Sequence, residues 1–176
     1  MMKYLILVFG LVLFFLEPVF GLFSPLQIEG EFYYIVPRFL IMFLIFVSVY
    51  YDTKHAMFYG LFFGLLYDVF FIDIIGLYSF LYPALCVIAG YTVKTVHRNL
   101  FVATLLTLVL TALFEFVLYL FFSLISLTDV ALDAFLATRL WPTMIANSLF
   151  LVILGWAFRS VMVGKLIERE KNPSLY

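Results

Sequence analysis

The stretch Ala56–Tyr78, AMFYGLFFGLLYDVFFIDIIGLY, decides how the rest of the chain is read. It is apolar and long enough to cross a bilayer, for which about 20 residues suffice. Gly60, Gly64 and Asp68 recur in it at i, i+4 and i+8, which puts all three on one helical face. Two glycines four apart admit a close-packed neighbour. A carboxylate one turn further on needs a donor, water or a proton, because charge in hydrocarbon costs on the order of 3 kcal/mol on insertion scales. That face therefore requires a partner surface. Three readings stay open: a packing groove with Asp68 as a buried hydrogen bonder, a docking face for another protein, and a small solute or proton relay at Asp68.

Composition sets the class around this stretch. The 176 residues are 66% hydrophobic and only 12% charged, too little charge to cover a soluble surface. The mean hydropathy of +1.18 agrees with an integral membrane protein. Apolar runs spread from end to end predict a single membrane domain over residues 1–176. The formal net charge of −1 gives no basic patch for nucleic acid. Cys86 is the single cysteine, which excludes an internal disulfide and a cysteine metal cluster.

The apolar runs predict an all-α bundle of six transmembrane helices, with spans at about 4–23, 34–51, 56–75, 77–93, 100–125 and 140–158 and a charged tail at 159–176. The run after Met1-Met2-Lys3 is longer than a signal h-region and lacks a small-residue cleavage site, so it reads as an uncleaved first span. Glu17-Pro18 predicts a kink in its outer third, because Pro18 frees the carbonyl of Phe14. Residues 24–34 read as a loop, and Pro37 as part of the first turn of segment two, whose one charge is Arg38. Asp52-Thr53-Lys54-His55 reads as a tight polar turn. Thr104, Thr107, Thr111 and Glu115 form a polar stripe on segment five, and Arg139, Thr143 and Asn147 another on segment six. The two stripes are expected to hydrogen-bond across helices.

Orientation follows from the flanks. One set carries Lys3, Lys54, Lys94 and Arg98 with Arg159, Lys165, Arg169 and Lys171 in the tail, and the other only Arg38 and Arg139. The positive-inside rule then places both termini in the cytoplasm. At 1.5 Å per residue, Glu17, Arg38, Asp68 and Glu115 all fall roughly 18–23 Å from the cytoplasmic ends. Such a layer either pairs within the bundle or lines an outward cavity for a ligand or a partner's helix.

No catalytic constellation emerges. His55 and His97 lie in separate turns, and the zinc-hydrolase, nucleophile-elbow and phosphate-loop patterns are absent from the sequence. Paired carboxylates on three different helices leave an intramembrane enzyme as a remote possibility. Trp141 and Trp156 read as interface anchors near opposite ends of segment six, and 161–171 as either a solvated tail or a short surface helix.

Gly60-x-x-x-Gly64-Leu65-Leu66-Tyr67-Asp68, followed by Gly76-Leu77-Tyr78, resembles the G-L-x-x-D…G-L core of the bacterial rod shape-determining protein MreD family. The chain size, the proline opening segment two and Ala89-Gly90-Tyr91 closing segment four are similar to that family too. The resemblance implies a non-enzymatic, cofactor-free subunit of the elongation machinery in the bacterial plasma membrane, supporting rod shape and lateral peptidoglycan synthesis. It implies MreC, a bitopic protein with an extracytoplasmic domain, as direct partner. MreB filaments, the glycosyltransferase RodA and a class B penicillin-binding transpeptidase belong to the wider complex. It also implies a fold like that of the six-helix substrate-binding subunits of energy-coupling-factor transporters. Gly60, Gly64, Asp68 and Gly76 match the motif and are the expected partner-binding residues. Glu17, Arg38, Asp68, Glu115, Arg139, Thr143 and Asn147 are the expected intramembrane polar network. The alternative is a solute-binding subunit of a vitamin-type uptake transporter, with the outward layer as its pocket.

Overall fold

The computed structural model describes residues 2–95 and 99–153 together with Gly155 and Phe158. His97, Trp156 and the tail 159–176 lie outside the described residues. Six helices are seen there: α1 (Met2–Gly21), α2 (Phe39–Tyr50), α3 (Thr53–Ile72), α4 (Leu77–Thr95), α5 (Leu100–Leu124) and α6 (Leu132–Ile153). Five of them are long and apolar enough to cross a membrane.

The exception is α2. Its 12 residues, Phe39–Tyr50, span about 18 Å, well short of a hydrocarbon core of roughly 30 Å. Every one of those residues is buried. A helix that is apolar all round belongs in the middle of a bundle, and α1, α3, α4 and α5 pack around this one. The expected helix at 34–51 is thus corrected at its start. Pro37 lies before α2 rather than in its first turn, and Arg38 is the N-cap with φ −131°. A residue ahead of proline is pushed out of the α region, which keeps Val36 out of the helix, and 34–38 carry neither helix nor strand.

Such backbone inside an apolar bundle needs partners for its amides. The side chains of α6 supply them. Thr143 Oγ1 accepts from Val36 N at 3.1 Å and donates to the carbonyl of Tyr34 at 3.1 Å. Asn147 donates from Nδ2 to the carbonyl of Val36 at 2.9 Å and accepts at Oδ1 from Arg38 N at 3.0 Å. The backbone of α6 adds one more bond. Pro142 has no N–H for the carbonyl of Thr138, and Tyr34 N donates to that carbonyl at 2.8 Å instead. Helix α6 therefore serves 34–38 as a sheet neighbour serves a strand.

The hydrogen bonding expected between the stripes of segments five and six is borne out at one pair and elsewhere replaced. Thr107 and Thr111 donate to carbonyls one turn back in α5 itself, to Ala103 at 2.7 Å and Thr107 at 2.8 Å, while Thr143 and Asn147 serve 34–38. Arg139 to Glu115 is the one hydrogen bond seen between the two stripes among the described residues.

Three smaller corrections concern the segments between helices and the helix starts. The expected loop at 24–34 contains a β-hairpin, β1 (Leu26–Ile28) against β2 (Glu31–Tyr33), so the chain is not strictly all-α. Its two-residue turn has positive φ at Glu29 and Gly30, the type I′ pattern, which Glu-Gly signals less strongly than Asn-Gly. The polar turn at 52–55 is the start of α3: Asp52 caps it, accepting from His55 N at 3.0 Å. Burial tends to raise the Asp52 carboxyl, but the hydrogen bonds from His55 and the charges of His55 and Lys54 outweigh it and hold the group below its ordinary range. Finally, α6 begins at Leu132 rather than near 140, so Trp141 sits more than two turns inside the helix instead of at its end.

Candidate functional site

Helices α3 and α4 form the tightest unit of the fold, and the glycines of α3 set the distance between them. A Cβ added at Gly64 would lie 2.5 Å from the carbonyl oxygen of Tyr78 and 2.6 Å from Ser79 Cα, both backbone atoms. At Gly60 it would meet the backbone of Tyr82 and Pro83 at 3.0–3.2 Å. The Gly60/Gly64 face, one candidate for docking a partner, is thus occupied by the chain's own fourth helix. Close backbone approach of this kind is what small residues in membrane helices permit.

Asp68 completes the unit. The last turn of α3, Asp68–Ile72, widens to a π-turn, and the chain then reverses through Asp73 (φ 58°) and Gly76 (φ 115°). Gly76 holds a conformation that side chains resist, and nothing within 4 Å crowds it. The reversal brings the start of α4 onto the Asp68 carboxylate. Oδ1 accepts from Tyr78 N at 2.7 Å, and Oδ2 from Gly76 N at 2.9 Å, Ser79 N at 3.1 Å and Ser79 Oγ at 2.7 Å. These are the orphan amides of a helix N-terminus, where the dipole also favours an anion. Asp68 is fully buried, and its charge is met by α4 rather than by Arg38. Replacing it with alanine strands all four donors and is expected to cost about 3 kcal/mol. Asp68→Asn, which keeps an acceptor, is expected to cost about 1 kcal/mol. Thermal unfolding in detergent measures both, and an alanine variant as stable as the parent would remove Asp68 from this capping role.

Glu17 repeats the device at α2. Its Oε1 accepts from Leu40 N at 3.2 Å, in the first turn of α2, and Oε2 accepts from the hydroxyl of Tyr67. Two intramembrane carboxylates thus cap two buried helix starts at the same end of the bundle. The third, Glu115, is a counter-ion. Arg38 Nε pairs with its Oε1, and Arg139 Nε reaches its Oε2 at 3.4 Å. Arg38 also donates to Tyr78 Oη at 3.3 Å and lies 5.0 Å from the centre of the Phe114 ring. Tyr78 stacks on Tyr67 at 5.1 Å with the planes 4° apart, so rings join the Glu17 and Arg38 ends of the layer.

The expected network of Glu17, Arg38, Asp68, Glu115, Arg139, Thr143 and Asn147 therefore separates into two helix caps, one arginine–glutamate–arginine cluster and one pair of side chains serving non-helical backbone. Glu17, Arg38, Asp68, Glu115, Thr143 and Asn147 are buried, and Arg139 is half-exposed. Tyr67, Tyr78 and Ser79 are the members that sequence reading missed. Tyr67 and Tyr78 sit inside the quoted motif, but tyrosine in a membrane helix reads first as an interface anchor.

Arg139 opens onto a cleft of about 350 Å³ between α5, the 125–131 loop and the start of α6. Among the described residues no group of three or more His, Cys, Asp or Glu is arranged to hold a metal ion.

A family model described as rod shape-determining protein MreD matches residues 1–163. The rod shape-determining protein MreD of Bacillus subtilis (strain 168) is 34% identical over 125 residues, covering 71% of this chain and 73% of that protein. The cell shape-determining protein MreD of Streptococcus pneumoniae (strain ATCC BAA-255 / R6) is 30% identical over 135 residues, 75% of this chain and 82% of the relative. No solved structure gives a significant match. The chain is a membrane protein by its helices, and with a match spanning nearly its whole length it belongs to the rod shape-determining protein MreD family.

Proposed function

We propose that the protein is a non-enzymatic scaffold of the bacterial elongation machinery, holding MreC in the plasma membrane and through it supporting lateral peptidoglycan synthesis. The match to the MreD family over residues 1–163 carries this reading. The use of Glu17, Asp68 and Glu115 supports it, because each spends its oxygens on helix starts, a tyrosine hydroxyl or arginines of its own chain. Carboxylates so committed are poor general acids or bases. MreB, RodA and a class B penicillin-binding transpeptidase belong to the same proposal as indirect partners.

Six crossings with both termini cytoplasmic complete it. At full stretch the five residues 34–38 add at most roughly 16 Å to the 18 Å or so of α2, enough with it to cross a hydrocarbon core of about 30 Å. A six-helix likeness to vitamin-transporter substrate subunits rests on the same count. Gly60, Gly64, Asp68 and Gly76 bear on the partner through the shape of the α3–α4 unit, whose outward side exposes Phe58, Phe62 and Phe70 to a second membrane helix.

The test is co-purification with MreC in two forms, full-length and without its membrane helix. Retention of the first and loss of the second is the expected result. Equal retention of the helix-less form, or turnover of a lipid-linked or peptide substrate by the purified protein, overturns the reading.

A further inference from the structure

The cleft beside Arg139 has the parts of a ligand site, and the scaffold reading does not use it. One wall is apolar, built by Leu118, Phe122, Leu127, Val130 and Phe135. Glu115 and Arg139 lie at its polar side. Arg139 commits only Nε, at 3.4 Å, to a carboxylate that Arg38 already holds. Its two Nη groups make no hydrogen bond to any described residue, and its side chain is 40% exposed. A guanidinium at the mouth of an apolar cleft, with two donor groups to spare, matches the forked geometry of a phosphate.

We infer that this cleft binds a membrane phospholipid, with Arg139 holding the phosphate of the head and the apolar wall taking the first part of an acyl chain. The volume of about 350 Å³ is that of a small-ligand pocket, enough for a head and the start of one chain. The rest of the lipid stays in the bilayer. Anion and chain are both required, since the guanidinium alone makes one half of the site and the aromatic wall the other.

Native mass spectrometry of delipidated protein in detergent tests this, with phosphatidylethanolamine, diacylglycerol and inorganic phosphate as separate probes. The expected result is retention of phosphatidylethanolamine over diacylglycerol, falling about tenfold in Arg139→Gln, the loss of one charge-assisted contact. Arg139→Lys, a point charge without the fork, is expected to keep part of it. Arg139→Gln leaves the Arg38–Glu115 pair intact, so its fold is preserved. Val130→Trp, which narrows the cleft from its apolar wall and leaves the Arg139 side chain unchanged in kind, is expected to lose phosphatidylethanolamine as well. Retention by Arg139→Gln equal to the parent's overturns the inference, as does equal binding of diacylglycerol. Saturation by inorganic phosphate alone also overturns it, since the cleft would then hold a free anion.

Discussion

Gly64→Leu is expected to abolish recovery of folded protein, and Gly64→Ala alone to cost about 3 kcal/mol, the upper end of overpacking penalties. The reason is what the new Cβ meets. At 2.5 Å from the Tyr78 carbonyl and 2.6 Å from Ser79 Cα it strikes backbone, which cannot turn away as a side chain does. Relief requires α4 to move off α3, and that motion pulls the Tyr78 and Ser79 amides from Asp68, 2.7 and 3.1 Å away. Steric and capping losses therefore come together. Gly155 is the control: a Cβ there meets Phe46 Cζ no closer than 3.5 Å, an ordinary van der Waals contact, so Gly155→Ala is expected to cost less. Cys86, fully buried and the single cysteine, provides the readout, because its reaction with a thiol-specific dye reports opening of the core. If Gly64→Ala and Gly155→Ala unfold at the same temperature, backbone contact between α3 and α4 is not what Gly64 serves.

Glu115→Leu is expected to cost about 3–5 kcal/mol and Arg38→Leu about 2 kcal/mol, although they break the same ion pair. The asymmetry comes from what each leaves behind. Without Glu115, the guanidinium of Arg38 stays buried, 5% exposed, with the Tyr78 hydroxyl at 3.3 Å and the Phe114 ring as its remaining company. Without Arg38, Glu115 still has Arg139 at 3.4 Å, whose side chain reaches the cleft. The Arg38 amide keeps Asn147 in either variant. Removing both charges should then recover more than half of the Glu115→Leu loss, since no buried ion is stranded. Thermal midpoints of the two single variants and the double variant form the cycle. Simple additivity, or a costlier Arg38→Leu, would place the buried charge elsewhere.

Much of this was legible from residue order. The motif glycines and Asp68 fall on one face because eight residues cover just over two helical turns, and that alone announces a packing partner. The layer of Glu17, Arg38, Asp68 and Glu115 also follows from counting residues along helices. Residue order did not show which group each carboxylate meets. Asp68 finds α4 only because Asp73 and Gly76 turn the chain back through positive φ, and Glu17 finds the first turn of α2 only because α2 begins at Phe39. The start of α2 was misplaced by five residues because an unbroken apolar run carries no sign of where a helix begins. Pro37 does not decide the start, because proline fits both the first turn of a helix and the residues just before one. The hydrogen bonds that make a non-helical 34–38 tolerable come from residues more than 100 positions away, Thr143 and Asn147.

What the sequence determined by itself is the solvent and the helices. With 66% hydrophobic residues and 12% charged, the chain has no surface for water, and each apolar run must close its own backbone hydrogen bonds. Tertiary structure alone decided how the few polar groups are shared. In hydrocarbon every charge must find a counterpart within hydrogen-bond reach, so pairing is a matter of distances between helices, which no spacing within one helix encodes.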